Sequence, residues 1–119
     1  MLRPQLSDVE RAAFLVEVYS YLGDGYDFRF DFAEASQQVC TEVIYRAINN
    51  KGSIDFALTE RAGHETLSAD DIANYHLDSE AFEFVLLVET NPDSKDNEAL
   101  IFVGPVGENR IKALMNATK

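Results

Sequence analysis

The chain has one cysteine, Cys40, and two histidines, His64 and His76. A thiol hydrolase needs a cysteine nucleophile coupled to a base, usually histidine, that a third polar group orients. Cys40 falls just inside the start of an expected helix. There a thiol faces the positive end of the helix macrodipole and backbone N–H groups that lack intrahelical partners; both favour thiolate over thiol. The same N–H groups can hold the oxyanion of a tetrahedral intermediate. A second reading stands beside this one. A lone cysteine among Val39, Val43 and Ile44 also fits a small core residue, and the residues alone favour that. His64 lies in a polar stretch and His76 follows a short helix, so each reads as a surface residue. Asp27 and Asp31 are four apart, with Arg29 between them, and read as a solvated strand face with local charge pairing.

Other chemistries are poorly represented. Two histidines and one cysteine at wide spacing match no zinc pattern, so no metal is expected. The chain has no glycine-rich phosphate cradle and no nucleophile-elbow serine, and no cofactor is implied. Asn116 and Thr118 form a glycosylation sequon that carries almost no information. The formal net charge of −11, most of it after residue 52, argues against nucleic acid and anionic membrane as partners. No apolar run approaches the roughly 20 residues of a membrane span. The N-terminus lacks a basic stretch followed by an apolar core, so no signal peptide is expected and the default compartment is cytoplasmic. The 119 residues suit a single domain.

The elements that would position these groups follow from pattern. Residues 7–22 are the clearest helix: Ser7 and Glu10 make a capping box, and Gly23 stops it. Val9, Ala13, Val16 and Leu22, beside Phe14 and Val18, predict a broad buried face. Residues 26–32 alternate aromatic and charged, which predicts a half-buried strand. A second helix is expected over residues 38–49. A short strand follows at 53–58, a polar loop at 60–65, and a third helix capped by Ser68. Residues 82–88 and 99–104 are strands around a polar loop at 91–98, and 107–117 is a final helix. The order predicts an α+β fold with an antiparallel hairpin near its end.

Gly25-Tyr26-Asp27, Phe30-Asp31 and Cys40-Thr41-Glu42-Val43 together resemble the circularly permuted papain-like hydrolases of the NlpC superfamily, in particular the YiiX and YaeF-like group of bacterial thiol amidases or peptidases. Arg3-Pro4 before the first helix, and Gly63 with Leu67-Ser68 before the third, add to the likeness, which covers about residues 2–76. The resemblance implies a papain-like fold with the nucleophile helix packed on an antiparallel sheet, Cys40 as nucleophile and Tyr26 lining the substrate cleft. Glu42 matches the motif and takes a structural role. In the permuted group the histidine lies upstream of the cysteine, and no histidine precedes Cys40 here. The chain therefore looks like the cysteine-bearing C-terminal half of such a domain, completed by a missing N-terminal half or by dimerisation. In the non-permuted order the histidine follows the cysteine, which makes His64 the base available within these residues. The implied substrates are peptides, amides or small lipid-like molecules, and relatives often occur in the cell envelope. The alternative is a catalytically inactive remnant that binds or oligomerises.

Overall fold

The structure, a computed structural model, describes residues 1–118. It is a mixed α+β arrangement of four helices and four two-stranded sheets, three of them antiparallel. The chain divides into two compact units. One is Leu6–Tyr75; the other joins Met1–Gln5 to the chain from His76 onward.

In the first unit, α1 (Asp8–Ser20) begins as its sequence demands. The Ser7 N–H donates to Glu10 Oε2 at 2.8 Å and the Glu10 N–H donates to Ser7 Oγ at 3.2 Å. The Ser7 N–H, together with the Gly52 N–H that donates to Glu10 Oε1 at 2.9 Å, lowers the pKa of the Glu10 carboxyl. Gly23 follows the helix at φ 94°, where a side chain would be strained. The expected burial of α1 fails: none of its residues is buried, and Val9, Val16 and the following Leu22 are exposed. An apolar stripe sets which face could be buried, and only packing decides whether it is.

β2 (Gly25–Tyr26) pairs in parallel with β3 (Gln37–Gln38), which leads directly into α2 (Cys40–Ile48). α2 has α1 as its main packing partner among the regular elements, where a sheet was expected. Its inward residues Ala47 and Ile48 join Phe32, Val39, Ile54, Phe56 and Leu67 in the core. Residues 53–58 bury Ile54 and Phe56 without forming a strand. Side chains replace the ladder: Asn49 Oδ1 accepts from the Phe56 N–H at 2.7 Å, and the Tyr75 hydroxyl bridges the Asp55 N–H and the Ser53 carbonyl at 3.0 Å each.

Residues 60–65, expected as a loop, lie instead in a hairpin of β4 (Thr59–Arg61) and β5 (His64–Thr66). Its two central residues, Ala62 and Gly63, have φ of 53° and 84°. Two successive left-handed residues make the turn whose twist matches the flanking strands. The hairpin leads into α3 (Ala69–Asp78), capped as expected by Ser68, whose Oγ accepts from the Asp71 N–H at 3.1 Å.

In the second unit, β1 (Leu2–Pro4) pairs antiparallel with β6 (Phe82–Phe84), and β7 (Leu86–Thr90) with β8 (Ala99–Val103). The single strand expected over residues 82–88 is thus divided between two sheets. The hairpin near the chain end forms as expected. α4 (Gly104–Ala117) starts three residues earlier than its apolar pattern indicated, with proline in its first turn, where a missing N–H costs nothing. The helix meets the hairpin through Gly107. A Cβ there would lie 2.6 Å from the Phe84 ring and 2.8 Å from the Phe102 carbonyl oxygen. Gly107→Ala is therefore expected to destabilise the protein by about 1–3 kcal/mol through overpacking, read as a lower urea midpoint at unchanged slope.

Candidate active site

The site is built on the loop between Tyr26 and β3. Asp27, 2% exposed, accepts the Arg29 N–H at 2.8 Å and the Asp31 N–H at 2.6 Å through its carboxylate. An aspartate that captures nearby backbone donors offers the chain an alternative to a β ladder. This breaks the expected strand over residues 26–32 after its first residue, Tyr26. It also overturns the reading of Asp27 as part of a solvated face. Phe30, at φ 55°, leaves the extended path altogether.

Glu42 and Arg46 fasten this loop to α2. Glu42 is 0% exposed, and its carboxylate takes Arg46 Nε at 3.1 Å, Arg46 Nη2 at 2.8 Å and the Val39 N–H at 3.4 Å. Arg46 Nη2 also donates to the carbonyls of Phe32 at 2.8 Å and Glu34 at 3.4 Å. One guanidinium thus joins two loop carbonyls to a buried helical carboxylate.

Cys40 is the first residue of α2 and is exposed. The core positions around it belong to Val39 and Glu42, so the reading of Cys40 as a small core residue is corrected. The thiol lines a cavity of about 450 Å³ together with Tyr26 and His64. Phe30, Phe32, Val39 and Leu67 supply apolar wall, and Arg29 and Arg61 the cationic part. The three residues singled out from sequence therefore share one cavity. His64 reaches it as the first residue of β5, carried there by the Ala62-Gly63 turn. His64 Nδ1 lies 3.8 Å from Asp31 Oδ2, within ion-pair range and beyond a direct hydrogen bond.

Asp31 was missed as a partner for His64 because the pairing is made by the fold: no spacing rule links a loop carboxylate to a hairpin residue so far along the chain. His76 was expected at the surface. It is instead buried within α3 and stacked on Phe84, ring centroids 6.3 Å apart. Arg61 is already committed: its Nη2 donates to Asp71 Oδ1 at 2.9 Å and its Nη1 to Thr66 Oγ1 at 3.1 Å. The hydrogen bond to Asp71 raises the Arg61 pKa. On Asp71 itself burial pushes upward, but the Arg61 and Ser68 hydrogen bonds outweigh it and the carboxyl sits below its ordinary value.

Among the described residues no group of three His, Cys, Asp or Glu side chains could hold a metal ion, and no helix is long and apolar enough to cross a membrane. Comparison with protein-family models, with curated proteins and with solved structures found no match.

Two outcomes follow from this geometry. Glu42→Ala removes the carboxylate that Arg46 and the Val39 N–H share, and should cost about 3 kcal/mol in urea unfolding, whereas Glu42→Gln keeps an acceptor and costs less. Asp71 has a depressed folded pKa, so its contribution to stability is full above the unfolded value near 3.8 and is lost as pH falls through the folded one. Unfolding followed between about pH 5 and 2 should therefore show a shallower acid decline for Asp71→Asn than for the unsubstituted protein.

Proposed function

We propose that this chain is a cysteine hydrolase of the permuted papain-like, NlpC type, cleaving amide or ester bonds in peptides, cell-wall fragments or small lipid-like amides. The observation that carries the reading is the convergence of Cys40, Tyr26 and His64 on one cavity, with the thiol on the first residue of a helix. Cys40 is the nucleophile and Tyr26 binds substrate. His64 is the base within the chain, supported by its position on the cavity wall and by Asp31 beside its Nδ1. The family pattern takes its histidine from upstream of the cysteine, and a residue supplied from there is the competing source of the base.

The chemistry balances simply. The Cys40 sulfur attacks the substrate carbonyl carbon while its proton passes to the imidazole. The oxyanion is met by N–H groups at the start of α2. Collapse of the intermediate breaks the C–N bond, and the imidazolium returns its proton to the departing amine. Water then attacks the thioester and gives its proton to the imidazole. The carboxylic acid leaves as the thiol is restored.

A second reading, a silent module that oligomerises, draws on the exposed Val9, Val16 and Leu22 of the first unit. Alkylation kinetics separate the two. The hydrolase reading expects iodoacetamide to modify Cys40 appreciably faster than free cysteine below neutral pH, with a step that His64→Ala removes. A rate profile matching free cysteine sinks it. A histidine-linked step that survives in His64→Ala would assign the base to another residue.

A further inference from the structure

The cavity departs in charge from the rest of the protein. The chain has 21 acidic and 10 basic side chains, yet no aspartate or glutamate lines the cavity that holds Cys40, while two arginines do. Their states differ. Arg61 is held by Asp71. Of the six arginines in the chain, Arg3, Arg11, Arg46, Arg61 and Arg110 each make an ion pair; among the described residues Arg29 alone makes none. Its backbone is fixed all the same, because its N–H donates to the buried Asp27 carboxylate. A cation with a fixed backbone and no ion-pair partner, on a cavity that Phe30, Phe32, Val39 and Leu67 also line, is arranged for an anion that carries an apolar body.

We infer that the cavity binds N-acylated amino acids, with the acyl chain against Phe30, Phe32 and Leu67 and the free carboxylate on Arg29. The inference rests on the hydrolase reading for its reaction and on the cavity alone for its binding. A guanidinium matches a carboxylate through two parallel N–H···O bonds. A volume of about 450 Å³ holds on the order of fifteen water-sized groups at ~30 Å³ each. That is the scale of a medium acyl chain joined to one small amino acid. Cleavage would release a fatty acid and an amino acid, the amide nitrogen leaving with the proton supplied by the base.

The test uses octanoylglycine and its neutral counterpart, octanoylglycinamide. In Cys40→Ala protein, which cannot turn substrate over, calorimetry should give about tenfold tighter binding of the carboxylate. Adding Arg29→Gln should reduce that ratio to about one while binding of the neutral amide stays as it was; Arg29→Lys, which keeps the charge, should retain part of it. Unchanged amide binding also shows that the Arg29 variants are folded. Equal affinities for the two ligands, or binding of neither, overturn the inference. A charge preference that Arg29→Gln leaves intact overturns it as well. Carboxylate-selective binding by Cys40→Ala, with no release of glycine by the unsubstituted protein, sinks the hydrolase reading and leaves the binding site standing.

Discussion

A buried carboxylate governs the first unit. Glu42 has no exposed surface, and an ionised carboxylate in that position is costly unless its oxygens are met by donors. The donors come from Arg46 and the Val39 N–H. Arg46 in turn has a second set of partners, the carbonyls of Phe32 and Glu34. Helix and loop are therefore mutually dependent: displacing the loop strips acceptors from Arg46, and losing Arg46 uncovers Glu42. Because Cys40 opens that helix and Arg29, Phe30 and Asp31 lie on that loop, the same pair of charges sets how thiol and cavity wall meet.

What could be read from sequence was local. The Ser7–Glu10 box, the Ser68 cap and the final hairpin depend on residues close in the chain, and each formed as expected. The helix expected over residues 38–49 was legible too, but it begins at Cys40 because Gln38 is taken up in β3. The failures share a cause. Alternation over residues 26–32 looked like a strand, but the Asp27 side chain competes for the backbone with a ladder, and periodicity is blind to that. The hairpin at β4 and β5 was hidden by its polar composition and by an alanine, not an asparagine, in the left-handed turn position. Residues 53–58 were read as a strand and form none, because the N–H groups of Asp55 and Phe56 are met by Tyr75 and Asn49.

The candidate site divides the same way. Cys40 was singled out by its place at a helix start, and Tyr26 only through the family resemblance. The ion-pair neighbour of His64 was not, since Asp31 and His64 are brought together only by the loop and hairpin. The electrostatic character of the cavity was equally hidden. Composition gave a strongly acidic chain, and a total charge says nothing about a wall from which every carboxylate is missing.

The loop across residues 27–36 also separates two duties. Its course is dictated by inward and backbone groups: the Asp27 carboxylate and the carbonyls held by Arg46. The side chains of Arg29 and Phe30, both on the cavity wall, take no part in those bonds. Exchange at these positions can thus retune what the cavity admits without redrawing the route of the chain or moving the helix that presents the thiol. Such an arrangement gives evolution, or an engineer, a small palette of interchangeable tips on a fixed frame.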